Sequence, residues 1–173
     1  MADLWIPGEA MTPVCVGEMP KGSLVLMSSH ARNSIPFLAV RFDIDSRRLL
    51  LSITNFGRGI GSTMDFTDSE ETGYRVDLPF SIEADLSKPV SSARMEDPKP
   101  GQLVAGNAGV ALMADLQLQR RFPSVDPVSI TDWIAGDRDT LGTVFGGWRL
   151  RIRVGEGQTA IYDPLVGHSP SIS

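Results

Sequence analysis

The stretch YRVDLPFSIEADL, residues 74–86, alternates strictly between apolar and polar side chains. Its even positions are apolar or aromatic from Tyr74 to Leu86, and its odd positions are charged residues, a serine and Pro79. Successive side chains of a β-strand point to opposite faces, so this alternation predicts a strand with one buried face. Because proline cannot donate a ladder hydrogen bond, Pro79 indicates either an edge strand or two strands joined at a bulge.

The segment 148–154 repeats the alternation with a row of cations. Its even positions are apolar, and its odd positions are Arg149, Arg151 and Arg153. A helix would scatter the arginines around its circumference, whereas a strand aligns them on one face. The row could bind an anionic ligand, pair with Asp77, Glu83 and Asp85 across strands, or face a neighbouring subunit. The net charge of −5 favours internal or intersubunit pairing.

The segment FLAVRFDIDSRRLLLSIT, residues 37–54, is typical of a β-hairpin. A turn centred on Ser46 and Arg47 predicts that Phe42 lies opposite Leu51, with apolar pairs along one face. A slip of one residue would place apolar side chains opposite polar ones, so the hydrophobic pattern specifies the register.

The remaining elements are less regular. Val110 to Leu118 alternates but is rich in helix formers, and we favour a strand over a helix there. The segment 129–136, SITDWIAG, predicts a short helix because it offers a capping residue, an early aspartate and a terminal glycine. Residues 57–73 and 87–101 are rich in glycine, proline or acidic side chains and predict two long loops.

Together these patterns predict a mainly β protein, an antiparallel β-sandwich or jelly roll with one or two short helices. A small β-barrel is the alternative. We expect an extended, proline-rich N-terminal arm at residues 1–21, a single β domain at residues 22–162 and a C-terminal tail at residues 163–173.

Composition narrows the class of protein. A chain of 173 residues that is 42% hydrophobic can bury a core as one domain. The negative charge makes nucleic-acid binding an unfavourable hypothesis, and one cysteine excludes an intramolecular disulfide. The first twenty residues have no basic start and no unbroken apolar run, and the longest uncharged stretch is too short to span a bilayer. We therefore expect a soluble protein without a cleavable secretion signal, located in the cytoplasm or an assembled virion.

Signals for catalysis or metal binding are weak. Cys15 with His30 or His168 could form a nucleophile and base, but Cys15 lies between two valines, where an inert buried thiol is the usual case. One cysteine and two histidines cannot complete a zinc site without carboxylates. Asp43, Asp45 and the acidic residues at 65–71 lack the spacing of a calcium loop.

The glycines at 57, 59 and 61 suggest a phosphate-binding loop. The motif that Gly59 and Gly61 would open requires a third glycine three residues after Gly61 and then a helix, and the sequence has neither. Met64 occupies the position of that third glycine. The sequence therefore predicts no catalytic residue, no metal ligand and no cofactor, and it favours a non-enzymatic protein.

The N-terminal arm is apolar but interrupted by prolines, and such a segment is costly to leave in water. We expect Trp5, Ile6 and Met11 of the arm, with Arg149, Arg151 and Arg153, to contact protein partners. The leading hypothesis is a structural or assembly protein, such as a virion or capsid-associated β-sandwich that self-associates through its arms. The alternatives are a β-barrel that binds a small molecule and a carboxylate-based enzyme on a β-sandwich, although three tryptophans and two tyrosines are few for a sugar-binding platform.

Overall fold

The computed structural model of the chain describes residues 6–28, 36–54, 59–95, 97–116, 124–156 and 158–162. Within these ranges, three short 3-10 helices span Gly8–Ala10, Val16–Glu18 and Arg138–Thr140. The strands, numbered β1 to β14 in chain order, are Met11–Cys15, Leu24–Met27, Phe37–Ile44, Arg47–Ser52, Thr63–Asp65, Thr72–Val76, Phe80–Ala84, Val90–Ser92, Leu103–Gly106, Gly109–Leu116, Ser124–Ser129, Leu141–Phe145, Trp148–Gly155 and Gln158–Tyr162.

The strands form three antiparallel sheets. Sheet A has the order β1-β6-β2-β3-β4-β5, sheet B the order β11-β10-β9-β12-β8, and sheet C the order β14-β13-β7. None of the three closes into a barrel over the described ranges. The predicted mainly β, antiparallel sandwich is therefore confirmed, and the sheets do not support the alternative of a small barrel.

One hydrophobic core joins the three sheets. Phe42 and Leu51 of sheet A, Leu112 of sheet B and Leu150 of sheet C are fully buried in the same cluster. Burying one such side chain contributes roughly 1.5–3 kcal/mol. The apolar faces of sheets B and C therefore pack on the same face of sheet A, and side chains fill the space between the layers.

The outer face of sheet A is buried as well. Val16 and Met19, from the N-terminal segment, pack in a second cluster with Val25, Phe37 and Leu50 of β2, β3 and β4. Residues 6–19 thus pack against the sheets of the same chain, and β1 pairs with β6. The division into an arm at 1–21, a domain at 22–162 and a tail at 163–173 stays a prediction.

The β3–β4 hairpin forms as predicted, but its register differs by two residues. Phe42 lies opposite Leu49 rather than Leu51. The turn consists of Asp45 and Ser46, and Asp45 has a φ of +52°, a left-handed conformation that aspartate tolerates better than most residues. A shift of two residues keeps every side chain on its face, so the alternation could not reveal it.

The stretch 74–86 divides at Pro79 into two strands that belong to different sheets. β6 lies between β1 and β2 in sheet A, and β7 forms one edge of sheet C. The even positions face inward at Val76, but Tyr74 is 53% exposed, so the predicted burial is wrong there. Tyr74 lies opposite Pro13 of the edge strand β1.

The segment from Val110 is a strand, as favoured, because β10 spans Gly109–Leu116. The helix predicted at 129–136 is wrong. The Ser129 hydroxyl accepts hydrogen bonds from the N–H groups of Thr131 and Asp132, as a helix cap would. The following backbone groups pair instead with other strands: Trp133 O accepts from Asp43 N, and Gly136 N donates to Pro127 O. Tertiary pairing therefore replaces the local helix.

Each of the two predicted loops contains a short strand, β5 in 57–73 and β8 in 87–101, so the prediction of two continuous loops is wrong in those parts. The loops cross where Gly61 and Gly101, both with a φ of +83°, approach each other. A Cβ on Gly61 would overlap the backbone nitrogen of Gly101. The indole N–H of Trp148 donates to Gly101 O at 2.8 Å and fixes the crossing to sheet C.

Candidate interaction surface

Strand β13 places the predicted arginine row on the outer face of sheet C. Leu150 and Ile152 are fully buried, whereas Arg149 and Arg151 are half-buried and Arg153 is exposed. The predicted orientation of this strand is therefore confirmed. We use the term arginine face for these three arginines.

Glu83 of the neighbouring strand β7 is the carboxylate that the arginine face shares. Arg149 Nε lies 3.7 Å from Glu83 Oε2, and Arg151 Nε lies 3.0 Å from Glu83 Oε1. Neither Nε makes a hydrogen bond of acceptable geometry with another described residue. One carboxylate thus serves two guanidinium groups that are about two-fifths exposed (39% and 42%). Ion pairs in such a position contribute roughly 0–1 kcal/mol each.

The other two carboxylates that could have paired with the arginines form different contacts. Asp77 accepts hydrogen bonds from the Thr12 hydroxyl and from Arg75 Nε, which lower the pKa of its carboxyl group. Asp85 accepts from the hydroxyl and the N–H of Ser87, and these bonds lower its pKa. Both groups therefore stay ionised well below neutral pH, which makes them poor general acids.

Exposed apolar side chains follow β7 directly. Leu86 is 82% exposed, Val90 is 57% exposed and Met95 is 86% exposed. We call residues 86–95 the apolar segment. Its first turn packs against the turn before β13, because a Cβ on Gly147 would lie 3.2 Å from Lys88 Cγ. The apolar segment therefore begins beside the Arg149 end of the arginine face.

This apolar segment was not predicted, because the alternation of residues 74–86 places Leu86 on the buried face of one long strand. The strand ends at Ala84, where Asp85 turns the chain by binding the backbone and the side chain of Ser87. An aspartate two residues before a serine is a recognised turn signal, and it could have marked the end of the strand.

The predicted contact residues of the N-terminal segment lie elsewhere. Ile6 is half-buried against the main core, and Met11 lies in β1 opposite Val76. Trp5 lies outside the described residues. Met11 thus belongs to sheet A and the arginine face to sheet C, and the role of Ile6 and Met11 in association stays a prediction.

The hypothesis of a cysteine–histidine pair concerns residues of which the structure describes only one. Cys15 is half-buried, and its Sγ lies 3.7 Å from Ser69 O. His30 and His168 lie outside the described ranges.

Two of the acidic side chains considered as metal ligands, Asp43 and Asp65, form hydrogen bonds with their neighbours. Arg41 donates to Asp43 at 2.8 Å, and Thr67 donates to Asp65 through both its hydroxyl and its N–H. Over the ranges that the structure describes, no group of three His, Cys, Asp or Glu side chains could hold a metal ion. Of the three glycines considered for phosphate, Gly57 lies outside the description and Gly61 forms the tight crossing with Gly101.

A small cavity lies at the end of sheet B. Its volume is about 40 Å³, and its lining includes Val110, Pro127 and Leu141. A cavity that binds a molecule as small as benzene measures about 150 Å³, so this cavity is too small for an organic ligand.

Comparisons with protein-family models, with curated proteins and with solved structures found no match. In the described part of the chain, no helix has both the length and the apolar character to cross a membrane. No residue role is therefore transferred from a relative, and the arginine face with the apolar segment is the candidate site that the chain itself presents.

Proposed function

We propose that the protein is a non-enzymatic structural or assembly protein, a β-sandwich that self-associates and thereby builds a larger complex. The observation that carries this proposal is the exposure of Leu86, Val90 and Met95 within one segment beside the arginine face. Clustered exposed apolar side chains mark protein contact sites more often than singly scattered ones do, and these three lie within one stretch of sequence, residues 86–95.

The interior of the sandwich supports the same proposal over its alternatives. A barrel that binds a small molecule needs an unfilled interior, whereas Phe42, Leu112 and Leu150 belong to a packed cluster between the sheets. A carboxylate-based enzyme needs acidic groups poised in a cleft, whereas Asp77 is exposed, Asp85 is half-buried, and both are hydrogen-bonded to residues two positions away in the chain. A virion or capsid is one setting in which such a building block works, and that setting stays a prediction.

Light scattering at several concentrations tests the proposal. We expect the wild-type protein to exceed the chain mass of 18.7 kDa and its mass to rise with concentration. Replacing Leu86, Val90 and Met95 together by serine should reduce the mass towards that of the monomer, because it removes the apolar contact area. A wild-type protein that stays monomeric at every concentration would contradict the proposal.

Tyr74→Ser is the matched control. Tyr74 is also an exposed large side chain, at 53%, but it lies on sheet A and outside the apolar segment. We expect this variant to keep the wild-type mass. An equal loss of mass in the control would mean that association depends on general surface hydrophobicity and not on this segment.

A further inference from the structure

The edges of sheet A are protected against pairing with another strand. At β1, Asp77 N–H donates to Ala10 O at 2.8 Å and Val16 N–H donates to Glu71 O at 2.9 Å. In an antiparallel ladder, residues alternate in the direction of their hydrogen bonds, so the even residues of β1 bond to β6 and the odd residues direct their groups outward. Pro13 is the central outward residue, and it has no N–H to offer a further strand. β5, at the other edge, has three residues.

Sheet B uses the same devices. At β11, Ile130 N–H donates to Val110 O at 3.1 Å, so the even residues bond to β10 and the odd residues face outward. Pro127 is the central outward residue of this edge, and its carbonyl accepts from Gly136 N–H. β8, at the opposite edge, has three residues. Each edge of sheets A and B thus resists the addition of a further strand, either because it contains an outward-facing proline or because the edge strand has three residues.

Strand β7, at the edge of sheet C, lacks both devices. Arg153 N–H donates to Pro79 O and Asp85 N–H donates to Gly147 O, both at 2.9 Å. The odd residues of this segment therefore bond to β13, and Phe80, Ile82 and Ala84 direct their N–H and C=O groups outward. Within the described part of the chain, no hydrogen bond satisfies these outward N–H groups. Pro79 does not protect this edge, because its nitrogen faces β13.

We propose that β7 pairs in antiparallel fashion with β7 of a second copy of this chain, about a two-fold axis at Ile82. This inference rests on the proposed function and names the partner and the contact. In this register Ile82 lies opposite Ile82 of the second copy, and Phe80 lies opposite Ala84 on both sides of the axis. The outward N–H and C=O groups of all three residues therefore form hydrogen bonds with the second copy. Such a ladder has about six intermolecular backbone hydrogen bonds. Isologous contacts of this kind are the commonest in homo-oligomers.

The inner face of the paired strands is complementary in volume. Each half-buried Phe80 lies opposite a small Ala84, so bulky and small side chains alternate across the axis. Antiparallel pairing also brings the end of one β7 to the beginning of the other. Leu86, 82% exposed in the isolated chain, thereby lies near Leu78 of the second copy. Leu78 packs against the core of its own chain. The pairing gives Leu86 an apolar neighbour.

The outer face is complementary in charge. Ser81 lies opposite Arg151 of its own chain on one side. On the other side, the proposed register places it opposite Glu83 of the second copy. In the isolated chain Arg149 and Arg151 share one carboxylate. The pairing brings a second carboxylate to the Arg151 end of the row and extends the arginine face into alternating basic and acidic side chains. Opposite charges across strands favour this register over its neighbours.

Disulfide formation between two single-cysteine variants tests the register. Ser81→Cys and Glu83→Cys are prepared separately, each with Cys15→Ser, then mixed, allowed to exchange and mildly oxidised. Directly opposite residues of a non-hydrogen-bonded pair have Cα atoms about 4.5 Å apart, within disulfide range, whereas diagonal neighbours are about 7–8 Å apart. We expect several-fold more covalent dimer in the mixture than in either variant alone. Equal amounts in all three samples, or none in the mixture, would overturn the proposal.

A matched pair of surface variants separates this proposal from the proposed function. Leu86→Ser and Met95→Ser remove apolar side chains of similar exposure, 82% and 86%. We expect the first to weaken dimerisation at least several-fold in light scattering and the second to leave it unchanged, because only Leu86 adjoins β7. If Met95→Ser weakens association and Leu86→Ser does not, the apolar segment still mediates assembly but the β7 contact is wrong. A monomeric wild-type protein would contradict both.

Discussion

Two turns of the molecule share one local motif and differ in the burial of its central side chain. In Asp65-Phe66-Thr67, the aspartate accepts hydrogen bonds from the N–H and the hydroxyl of Thr67, at 2.9 and 2.7 Å. In Asp85-Leu86-Ser87, the aspartate accepts the same two bonds from Ser87, at 3.0 and 2.6 Å. Yet Phe66 is 7% exposed and Leu86 is 82% exposed.

The difference lies in what covers each turn. Phe66 packs with Val16 and Met19, which the N-terminal segment lays over the outer face of sheet A. In the described structure, Leu86 belongs to none of the hydrophobic clusters. The motif thus specifies a turn, whereas burial of its central residue depends on a distant part of the chain. At Leu86 we propose that a second copy supplies the cover.

The largest expected effect distinguishes the two central side chains. Phe66→Ala should lower the free energy of unfolding by about 3–5 kcal/mol, because it leaves a cavity in a packed cluster. Leu86→Ala should change the stability of the monomer by less than about 0.5 kcal/mol. Urea denaturation at a concentration where the protein is monomeric measures both values. Similar losses in the two variants would show that Leu86 is covered within its own chain.

A smaller difference is expected between the two hydroxyl groups. The Thr67 hydroxyl donates to Asp65 and also accepts from Arg48 N–H at 2.9 Å, so it joins the turn to β4. The Ser87 hydroxyl donates to Asp85 within its own turn. Thr67→Val should therefore cost about 1–2 kcal/mol, and Ser87→Ala about 0.5 kcal/mol. Thermal unfolding of the two variants checks the order, and a larger loss for Ser87→Ala would contradict it.

The smallest expected effect is a shared dependence on acid pH. Burial raises the pKa of Asp65, but the hydrogen bonds from Thr67 and the charge of Arg47 outweigh it, so the folded-state pKa is lowered. Hydrogen bonds from Ser87 lower the pKa of Asp85. A carboxyl group whose pKa is lowered by folding adds stability above its unfolded pKa of about 3.9. That stability is lost as the pH falls through the lower, folded value.

Melting temperatures between neutral pH and about pH 2 test this point, a range that brackets the unfolded pKa. Relative to the wild type, Asp65→Asn and Asp85→Asn should each be less stable at neutral pH, and the difference should shrink as the pH falls. The two variants should behave alike, because the local motif is the same. A difference from the wild type that does not change with pH would mean that charge is not the source of the stabilisation.

The faces of the strands could be predicted from the sequence better than the strands with which they pair. The two faces of β13 follow from alternation, and the structure confirms that Leu150 and Ile152 point inward. The hairpin register was missed because it depends on the conformation of Asp45, and a shift by two residues leaves the alternation unchanged. The same alternation gave no sign that β6 and β7 belong to different sheets.

The candidate surface could be anticipated only in part. The arginine row was visible because three like residues on alternate positions lie on one face of a strand. Its counterpart, Glu83, was one of three carboxylates that the sequence could not tell apart, since the choice depends on which residue lies opposite Arg149. The exposed Leu86 was hidden in the alternation, since burial depends on neighbours that are distant in the sequence.

The sequence by itself determined that the chain forms alternating strands, that the even face of β13 is apolar and that its arginines share one row, because successive side chains of a strand must point to opposite sides. Only the tertiary structure decided the order of strands, their register, the free edge of β7 and the exposure of Leu86. These depend on the contacts of residues far apart along the chain, which a local period of side chains does not contain.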